Sequence, residues 1–185
     1  MTISILALQG NYDAHRKKIE QLGLTCNLVR TKSELNAATS LVLPGGESTT
    51  MLYLLNTYGM WSTLLEKTAS VPVFATCAGV ILLKELKMLS IDVVRNGYGC
   101  QLQSGFFSLD LNLPSSKKII KGLFIRAPIV KKIYDKKISI LSYRGSDPVL
   151  IRKENLLACT FHPELSHHDE IYRYFFSMIP RKNSS

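Results

Sequence analysis

The alternation of short apolar segments with amphipathic ones is the feature that most restricts how this chain can fold. Strand-like runs at residues 3–8, 24–29 and 41–43 alternate with helical periodicity at residues 12–22 and from residue 48 to about residue 65. Strands that are each followed by a helix imply βαβ crossovers, which build a mostly parallel sheet covered by helices on both faces. We therefore predict a three-layer αβα fold of the flavodoxin-like kind.

The alternation continues with a strand at residues 71–74 and a helix at residues 78–89, and then it stops. Strand-like segments follow one another with little room for crossover helices, at residues 106–111, 119–125, 138–143, 149–152 and 156–161. We expect antiparallel pairings there, at the edge of the sheet or in a small flanking layer. A last helix is predicted at residues 169–178, with Ser166 as its cap. Because no linker or repeat interrupts the chain, we predict a single domain over residues 1–185.

Composition narrows the class of protein. Hydrophobic residues make up 46% and charged residues 20% of the chain, which excludes a disordered chain. No apolar stretch approaches the roughly 18 residues that a membrane helix needs, so we predict no membrane partner. The four cysteines form no C-x-x-C pair, which argues against a zinc site and a disulfide framework and favours the reducing cytoplasm.

The charge balance is basic, with 23 Lys and Arg against 14 Asp and Glu, for a net charge of +9. Residues 117–137 hold eight of these positive charges against Asp135 alone. They alternate with apolar strand residues and lack the interleaved aromatic side chains on which bases stack. We therefore predict a solvated face or a protein interface there, and no nucleic-acid partner.

Cys77 has the surroundings of a catalytic nucleophile. A strand runs into it and a helix leaves directly after it, with the small residues Ala75 and Gly79 two positions to either side. This is the pattern of a nucleophile elbow, and the N-terminus of the helix would stabilise a thiolate. An inert buried thiol is compatible with the same pattern.

A His-Pro-Glu segment could supply the base. His162 would take a proton from the thiol, and Glu164 would orient the imidazole. Pro163 disfavours a helical His162, and in an extended segment side chains two positions apart point the same way, so Glu164 could reach His162. Alone, the segment would more simply be a strand-end histidine beside a solvated glutamate; an elbow cysteine favours the catalytic interpretation.

The third candidate is the loop Pro-Gly-Gly-Glu at residues 44–47. Adjacent glycines between a strand and a helix let backbone N–H groups face a ligand or an oxyanion, although most such loops are only turns. In an open α/β sheet this loop, Cys77 and His162 would all lie at the carboxyl edge of the strands, where ligands bind.

The remaining cysteines and histidines lack such surroundings. Cys26 and Cys159 fall within predicted strands and are expected in the core, while Cys100 lies in a loop without an obvious base. We expect solvated or capping roles for the histidines at positions 15, 167 and 168.

Together these segments resemble the class I glutamine amidotransferases, whose triad is Cys-His-Glu. More narrowly, they are similar to the glutaminase subunit of pyridoxal 5'-phosphate synthase, the PdxT/SNO family. The matching blocks occur in the family's order: LALQG at residues 6–10, LPGGESTT at 43–50, TCAG at 76–79, RN at 95–96, FIRAP at 124–128 and FHPEL at 161–165.

The resemblance implies a role for each matching residue. Cys77 would be the nucleophile, His162 the base and Glu164 its orienting partner. L-glutamine would be held by Gly45, Gly46, Glu47, Arg95, Ile125 and Arg126. A loop that responds to the partner would include Gln9 and Gly10. Ammonia would pass to a separate (β/α)8-barrel synthase subunit, and no metal or organic cofactor would be needed.

Two residues and one segment depart from the family's pattern. Ala75 replaces a glycine, Cys100 replaces an arginine, and the segment at residues 83–94 is shorter than usual. Two alternatives remain. One is the glutaminase of another class I amidotransferase, such as imidazole glycerol phosphate synthase, against which Gly10 and the IRAP segment at residues 125–128 count. The other is a non-enzymatic regulatory protein on the same fold, which has no need of an intact triad.

Overall fold

The computed structural model describes residues 1–98, 104–114 and 116–180. Its strands are β1 (Thr2–Leu6), β2 (Thr25–Val29), β3 (Leu41–Leu43), β4 (Val73–Thr76), β5 (Ile91–Val94), β6 (Gly105–Leu113), β7 (Ser116–Phe124), β8 (Ile129–Ile133), β9 (Ser139–Arg144), β10 (Asp147–Lys153) and β11 (Leu156–Cys159). Its helices are α1 (Tyr12–Gln21), α2 (Lys32–Ala37), α3 (Ser48–Thr57), α4 (Trp61–Ser70), α5 (Ala78–Glu85) and α6 (Glu170–Ser177), with a 3₁₀ turn at Pro163–Leu165.

A seven-stranded sheet forms the centre, in the order β2-β1-β3-β4-β11-β10-β9. The first five of these strands are parallel, and β10 and β9 extend the sheet by antiparallel pairing. Two antiparallel pairs, β5 with β8 and β6 with β7, lie outside it. The prediction of a parallel half followed by antiparallel additions is confirmed, with additions both at the sheet edge and in flanking pairs.

Two hydrophobic clusters fill the space on the two faces of the sheet. One packs α1, α6 and the β6–β7 hairpin against residues such as Ile5 and Phe74. The other packs α2 to α5 and the β5–β8 pair against residues such as Leu43 and Val73. Each fully buried side chain of this size stabilises the fold by about 1.5–3 kcal/mol. The three-layer αβα fold class is therefore confirmed.

The helix predicted from residue 48 to about residue 65 is wrong in its extent. It is two helices, because Gly59 adopts φ +62° and ends α3, and the Met60 N–H closes the turn on the carbonyl of Leu55 at 2.8 Å. Ser48 is the first residue of α3, and Glu47 holds the N-cap position without a side-chain bond.

Other differences are local. The last helix begins at Glu170, not at residue 169, and Ser166 does not cap it; its Oγ donates to the carbonyl of Pro163 at 3.0 Å. Helix α5 ends at Glu85 because Lys87 takes a left-handed φ of 59°. The sequence interpretation also missed α2, β5 and β8. Of these, α2 carries a readable signal, a Thr-x-x-Glu capping box that starts at Thr31.

Within the described residues, no helix is long and apolar enough to cross a membrane. All eight Lys and Arg side chains of residues 117–137 are exposed, in agreement with the predicted solvated face.

Candidate active site

Cys77 occupies a strained turn between β4 and α5. Its backbone has φ 48° and ψ −107°, a conformation that L-residues adopt at a cost of about 1–3 kcal/mol and that concentrates at functional sites. Its N–H donates to the carbonyl of Cys159 at 2.8 Å, which ties the elbow to the neighbouring strand β11. A Cβ at Gly79 would lie 2.4 Å from the backbone oxygen of Leu43, so only glycine lets the helix leave this closely. Ala75, by contrast, is accommodated in the core beneath the site.

His162 and Glu164 form a buried pair beyond the end of β11. Nδ1 of His162 lies 2.7 Å from Oε1 of Glu164, and the two residues are only 5% and 6% exposed. The backbone N–H of His162 donates to the carbonyl of Leu123 at 2.8 Å, which fixes the segment against β7. The predicted pairing is thus present, but the expected extended segment is wrong, because Pro163 starts a 3₁₀ turn that brings Glu164 round to the imidazole.

The glycine loop packs directly on these side chains. A Cβ at Gly45 would lie 2.8 Å from Cε1 of His162 and 3.1 Å from Cβ of Cys77, so the loop reaches this position only as glycine. The Gly45 N–H donates to Oγ1 of Thr76 at 3.0 Å, and its carbonyl accepts the N–H of Asn11 at 2.9 Å. The loop is therefore anchored on both sides, by the strand that carries the nucleophile and by the start of α1.

Gln9 and Gly10 hold the other end of the same loop. Oε1 of Gln9 accepts the N–H of Glu47 at 2.9 Å. Gly10 has φ +95°, and a Cβ there would lie 2.0 Å from the Gly45 carbonyl oxygen. The two residues thus support the loop from behind.

A cavity of about 230 Å³ opens over Cys77. Arg95 lies in its wall, and its Nη1 donates to Oγ1 of Thr49 at 3.1 Å. A second, adjoining cavity of about 210 Å³ includes Ile125 and His162. The first cavity is lined by Gly46, Glu47, Ser48, Thr49, Cys77, Ala78, Ile81, Arg95, Asn96, Arg126 and Pro128.

The predicted binding residues therefore line these two cavities, except Gly45, which is not among the lining residues. Sequence reasoning did not assign Asn96, which lines both cavities and has a left-handed φ of 49°. Its place directly after Arg95 in the RN block is the signal that could have identified it. A larger depression of about 610 Å³, between Met1 and the end of α6, contains neither a cysteine nor a histidine.

The electrostatics of the pair favour a charged imidazole. Burial lowers the pKa of His162, but the side chains of Cys77 and Glu164 outweigh burial and raise the pKa to about 10. Burial raises the pKa of Glu164, but the neighbouring imidazoles of His15 and His162 outweigh that effect and lower it. Each member of the pair therefore favours the charged form of the other.

His15 is the clearest failure of the sequence interpretation, which expected a solvated or capping role. It is fully buried, with Nε2 3.0 Å from Oγ1 of Thr76 and Nδ1 2.7 Å from the hydroxyl of Tyr172. Nε2 also lies 3.6 Å from Oε2 of Glu164. The available signal was its i, i+4 spacing from Ile19, which places it on the buried face of α1.

The remaining cysteines and histidines differ in how deeply they are buried. Cys159 is fully buried, as predicted, whereas Cys26 is only half-buried, and burial raises its pKa to about 11. His167 is exposed, and the N–H of His168 donates to Oγ of Ser166 at 3.3 Å. Cys100 lies outside the described residues.

A cysteine on a strand–helix elbow, a buried His–Glu pair and a glycine loop at one sheet edge define a glutamine amidotransferase of class I. The comparisons agree: residues 5–181 match the SNO glutamine amidotransferase family. The chain belongs to that family.

Relatives with curated names match over almost their whole length. The chain is 41% identical to the pyridoxal 5'-phosphate synthase subunit PdxT of Kosmotoga olearia, over 97% of this chain and 98% of that one. It is 39% identical to the protein of the same name from Francisella tularensis subsp. tularensis, over 95% and 98%. The predicted family and enzyme class are therefore confirmed.

Solved structures give the same class. One described as a glutamine amidotransferase superposes with a TM-score of 0.88 at 33% identity, covering 96% of this chain and 98% of that one. Another glutamine amidotransferase, from Thermotoga maritima, superposes with a TM-score of 0.62 at 12% identity, over 95% and 80%, which shows the shared fold alone.

Proposed function

We propose that the chain hydrolyses L-glutamine to L-glutamate and ammonia through a Cys77–His162–Glu164 triad. The observation that carries the proposal is the 2.7 Å pair of His162 and Glu164 beside an elbow cysteine that opens into a cavity. Because Nδ1 of His162 is held by Glu164, Nε2 is the nitrogen left to exchange a proton with the thiol and the substrate.

The reaction proceeds in two halves. The Cys77 thiolate attacks the side-chain amide carbon of glutamine, and the carbonyl π electrons move onto oxygen. When the tetrahedral intermediate collapses, the C–N bond breaks and protonated His162 gives its proton to the departing nitrogen, which leaves as ammonia. His162, now neutral, takes a proton from water as its oxygen attacks the thioester carbon. The C–S bond then breaks, which releases glutamate and restores the thiolate.

Backbone N–H groups would stabilise the oxyanion. The amides of Gly45 and Glu47 already donate to Thr76 and Gln9. We therefore assign this role to the amide of Ala78, in the first turn of α5, and to that of Gly46. The bond from Glu47 to Gln9 gives the predicted partner-responsive loop a mechanism, since a shift of Gln9 would release the Glu47 amide.

Cationic side chains around the cavity suit an amino acid substrate. Arg95 and Arg126 line the cavity over Cys77 and would bind the α-carboxylate of glutamine, while Gly46, Glu47 and the backbone at Ile125 would complete the site. No metal or organic cofactor takes part in this chemistry.

The ammonia would be used by a second chain. The relatives carry the name of a pyridoxal 5'-phosphate synthase subunit, and we propose by that similarity that this chain supplies ammonia to a (β/α)8-barrel synthase subunit in a hetero-oligomer. A free nucleophilic thiol also suits the cytoplasm.

Glutamate release, measured with and without the barrel subunit, tests the proposal. Cys77→Ala should abolish turnover, while Cys26→Ala, which removes a half-buried thiol outside both cavities, should leave it intact. Turnover that survives Cys77→Ala would exclude Cys77 as the nucleophile. Absence of turnover in the wild type, even with the partner, would favour a regulatory protein, and glutamate release that only another class of synthase stimulates would point to a different amidotransferase.

A further inference from the structure

His15 is a buried polar side chain that the mechanism above does not use. It lies on α1, with an exposure of 0%, yet it contacts three polar groups from three other parts of the chain. These are Oγ1 of Thr76, directly before the nucleophile, the hydroxyl of Tyr172 on α6, and Oε2 of Glu164 at 3.6 Å. A histidine that only filled the core would not need to meet the catalytic carboxylate.

The two oxygens of Glu164 are placed very differently. Oε1 accepts from His162 at 2.7 Å, and Nδ2 of Asn11 lies 3.5 Å from it. Oε2 is buried and has no hydrogen bond within the part of the chain that the structure describes. Nε2 of His15 lies 3.6 Å from it. Burying a charged carboxylate oxygen without a hydrogen-bond partner carries a large desolvation penalty. An N–H dipole that faces this oxygen therefore strongly stabilises the ionised carboxylate.

The contacts determine which nitrogen of His15 carries the proton. Burial lowers the pKa of His15 and so keeps the ring neutral, with a single N–H. Burial raises the pKa of Tyr172, which therefore keeps its proton as a donor to Nδ1. Since a negative carboxylate repels a lone pair and attracts an N–H, the proton of His15 lies on Nε2.

We infer that His15 is a positioning residue, which holds the Glu164 carboxylate in line with His162 and links it to the nucleophile's strand and the glycine loop through Thr76. Oγ1 of Thr76 accepts both from Nε2 of His15 and from the N–H of Gly45, each at 3.0 Å. One imidazole thus connects the third triad member with the loop beside the oxyanion. The inference rests on the proposed function, in which Glu164 orients His162.

Two substitutions separate a positioning role from simple packing. In His15→Gln, the amide nitrogen reaches the place of Nε2 and can still donate toward Glu164 and Thr76. In His15→Asn, the amide reaches only the place of Nδ1, so the donor toward Glu164 is lost. Both variants are polar and uncharged. Because Asn is one CH2 group smaller than Gln, a role in packing alone would cost more stability in His15→Asn, but it would leave the pH dependence of the thiol unchanged in both.

The first readout is the rate of iodoacetamide alkylation at Cys77 as a function of pH, which needs neither glutamine turnover nor a partner. Titratable groups around His15 are Glu164, His162, Tyr172 and, beyond Glu164, Cys159. Weaker support of His162 by Glu164 destabilises the imidazolium that accompanies the thiolate. His15→Asn should therefore raise the midpoint pH of the alkylation profile by about 1 unit. His15→Gln should return the midpoint most of the way to the wild-type value.

The second readout is steady-state glutamate release with the synthase subunit present. His15→Asn should lower kcat about 10- to 100-fold with KM changed less than about threefold, because the triad is affected and the glutamine contacts are not. An alkylation profile in His15→Asn that matches the wild type would overturn the inference. Equal losses in the Asn and Gln variants would do the same, since a donor at the position of Nε2 would then make no difference.

Tyr172→Phe keeps the inference testable if both His15 variants fail to fold, because it removes only the hydroxyl that sets the tautomer. It should shift the alkylation midpoint in the same direction as His15→Asn but by less, and an unchanged midpoint would count against the inference. If the wild type shows the pH-dependent alkylation but hydrolyses no glutamine, the proposed function fails while the positioning role stands.

Discussion

Gly10→Ala should disrupt the glycine loop without changing any side chain of the triad. Gly10 combines two restrictions, a φ of +95° and a position where a Cβ would lie 2.0 Å from the carbonyl oxygen of Gly45. Because contacts of a Cβ below 3.0 Å are essentially never seen, the loop must retreat by at least about 1 Å. The atom in the way is backbone, so no side-chain rotation can relieve the contact.

The magnitude follows from the bonds that this retreat breaks. A left-handed conformation costs an alanine roughly 1–2 kcal/mol relative to glycine. Moving Gly45 also stretches its bonds with Asn11 at 2.9 Å and with Thr76 at 3.0 Å, each worth about 1 kcal/mol. We therefore expect a loss of about 3–4 kcal/mol in the free energy of unfolding, or a Tm lower by roughly 6–15 °C.

Gly23→Ala is the matched control, since Gly23 has a similar φ of +81° and nothing within 4 Å of its Cβ position. Gly23→Ala should lower the free energy of unfolding by only roughly 1–2 kcal/mol, the cost of the left-handed backbone. Urea unfolding can be followed by the fluorescence of Trp61, the single tryptophan. Glutamate release should fall about 100-fold in Gly10→Ala, because a displacement of about 1 Å has that effect on well-oriented groups, and should stay near wild type in Gly23→Ala. Equal stability losses in the two variants would refute the reasoning.

Two further substitutions and one control variant test the electrostatics. Glu164→Gln should lower kcat at least about 100-fold, since the amide no longer supports a charged His162. Because folding lowers the pKa of Glu164 from 4.5, the carboxylate stabilises the wild type above pH 4.5, and this stability is lost as the pH falls below that value. The unfolding free energy of the variant should therefore depend less on pH below 4.5. Arg144→Met removes a guanidinium from a cage of three aromatic rings, including Phe107 at 3.4 Å, and should lower the unfolding free energy by about 1–3 kcal/mol. Arg30→Met, in which the lost guanidinium lies farther from a single ring, should lower the unfolding free energy by less than about 0.5 kcal/mol. Chemical denaturation that shows the larger loss in Arg30→Met would contradict a stabilising role of the Arg144 cage.

The parts that the sequence predicted well are those encoded by neighbouring residues. The elbow at Cys77 could be read because a strand, a nucleophile and a helix follow each other directly, and the apolar alternation predicts the parallel half of the sheet. The pairing of His162 with Glu164 was foreseen, although a 3₁₀ turn and not an extended segment achieves it.

The parts that it predicted poorly depend on residues far apart in the chain. His15 resembles a solvated residue because its helix is largely polar, and its burial results from Thr76, Glu164 and Tyr172 closing around it. The division between α3 and α4 is a different case, since Gly59 was visible but the apolar period on both sides concealed its effect.

The position of β11 in the sheet has a consequence for how the protein is made. This strand, the last one among the described residues, lies between β4 and β10, near the middle of the seven-stranded order and not at an edge. Its pairing with β4 aligns Cys159 with Thr76, and the chain then leads within three residues to His162. Until it inserts, β10 and β9 have no neighbour on the parallel strands, and His162 is not held beside Cys77. Completion of the sheet and assembly of the candidate site therefore arise in the same late, long-range folding step.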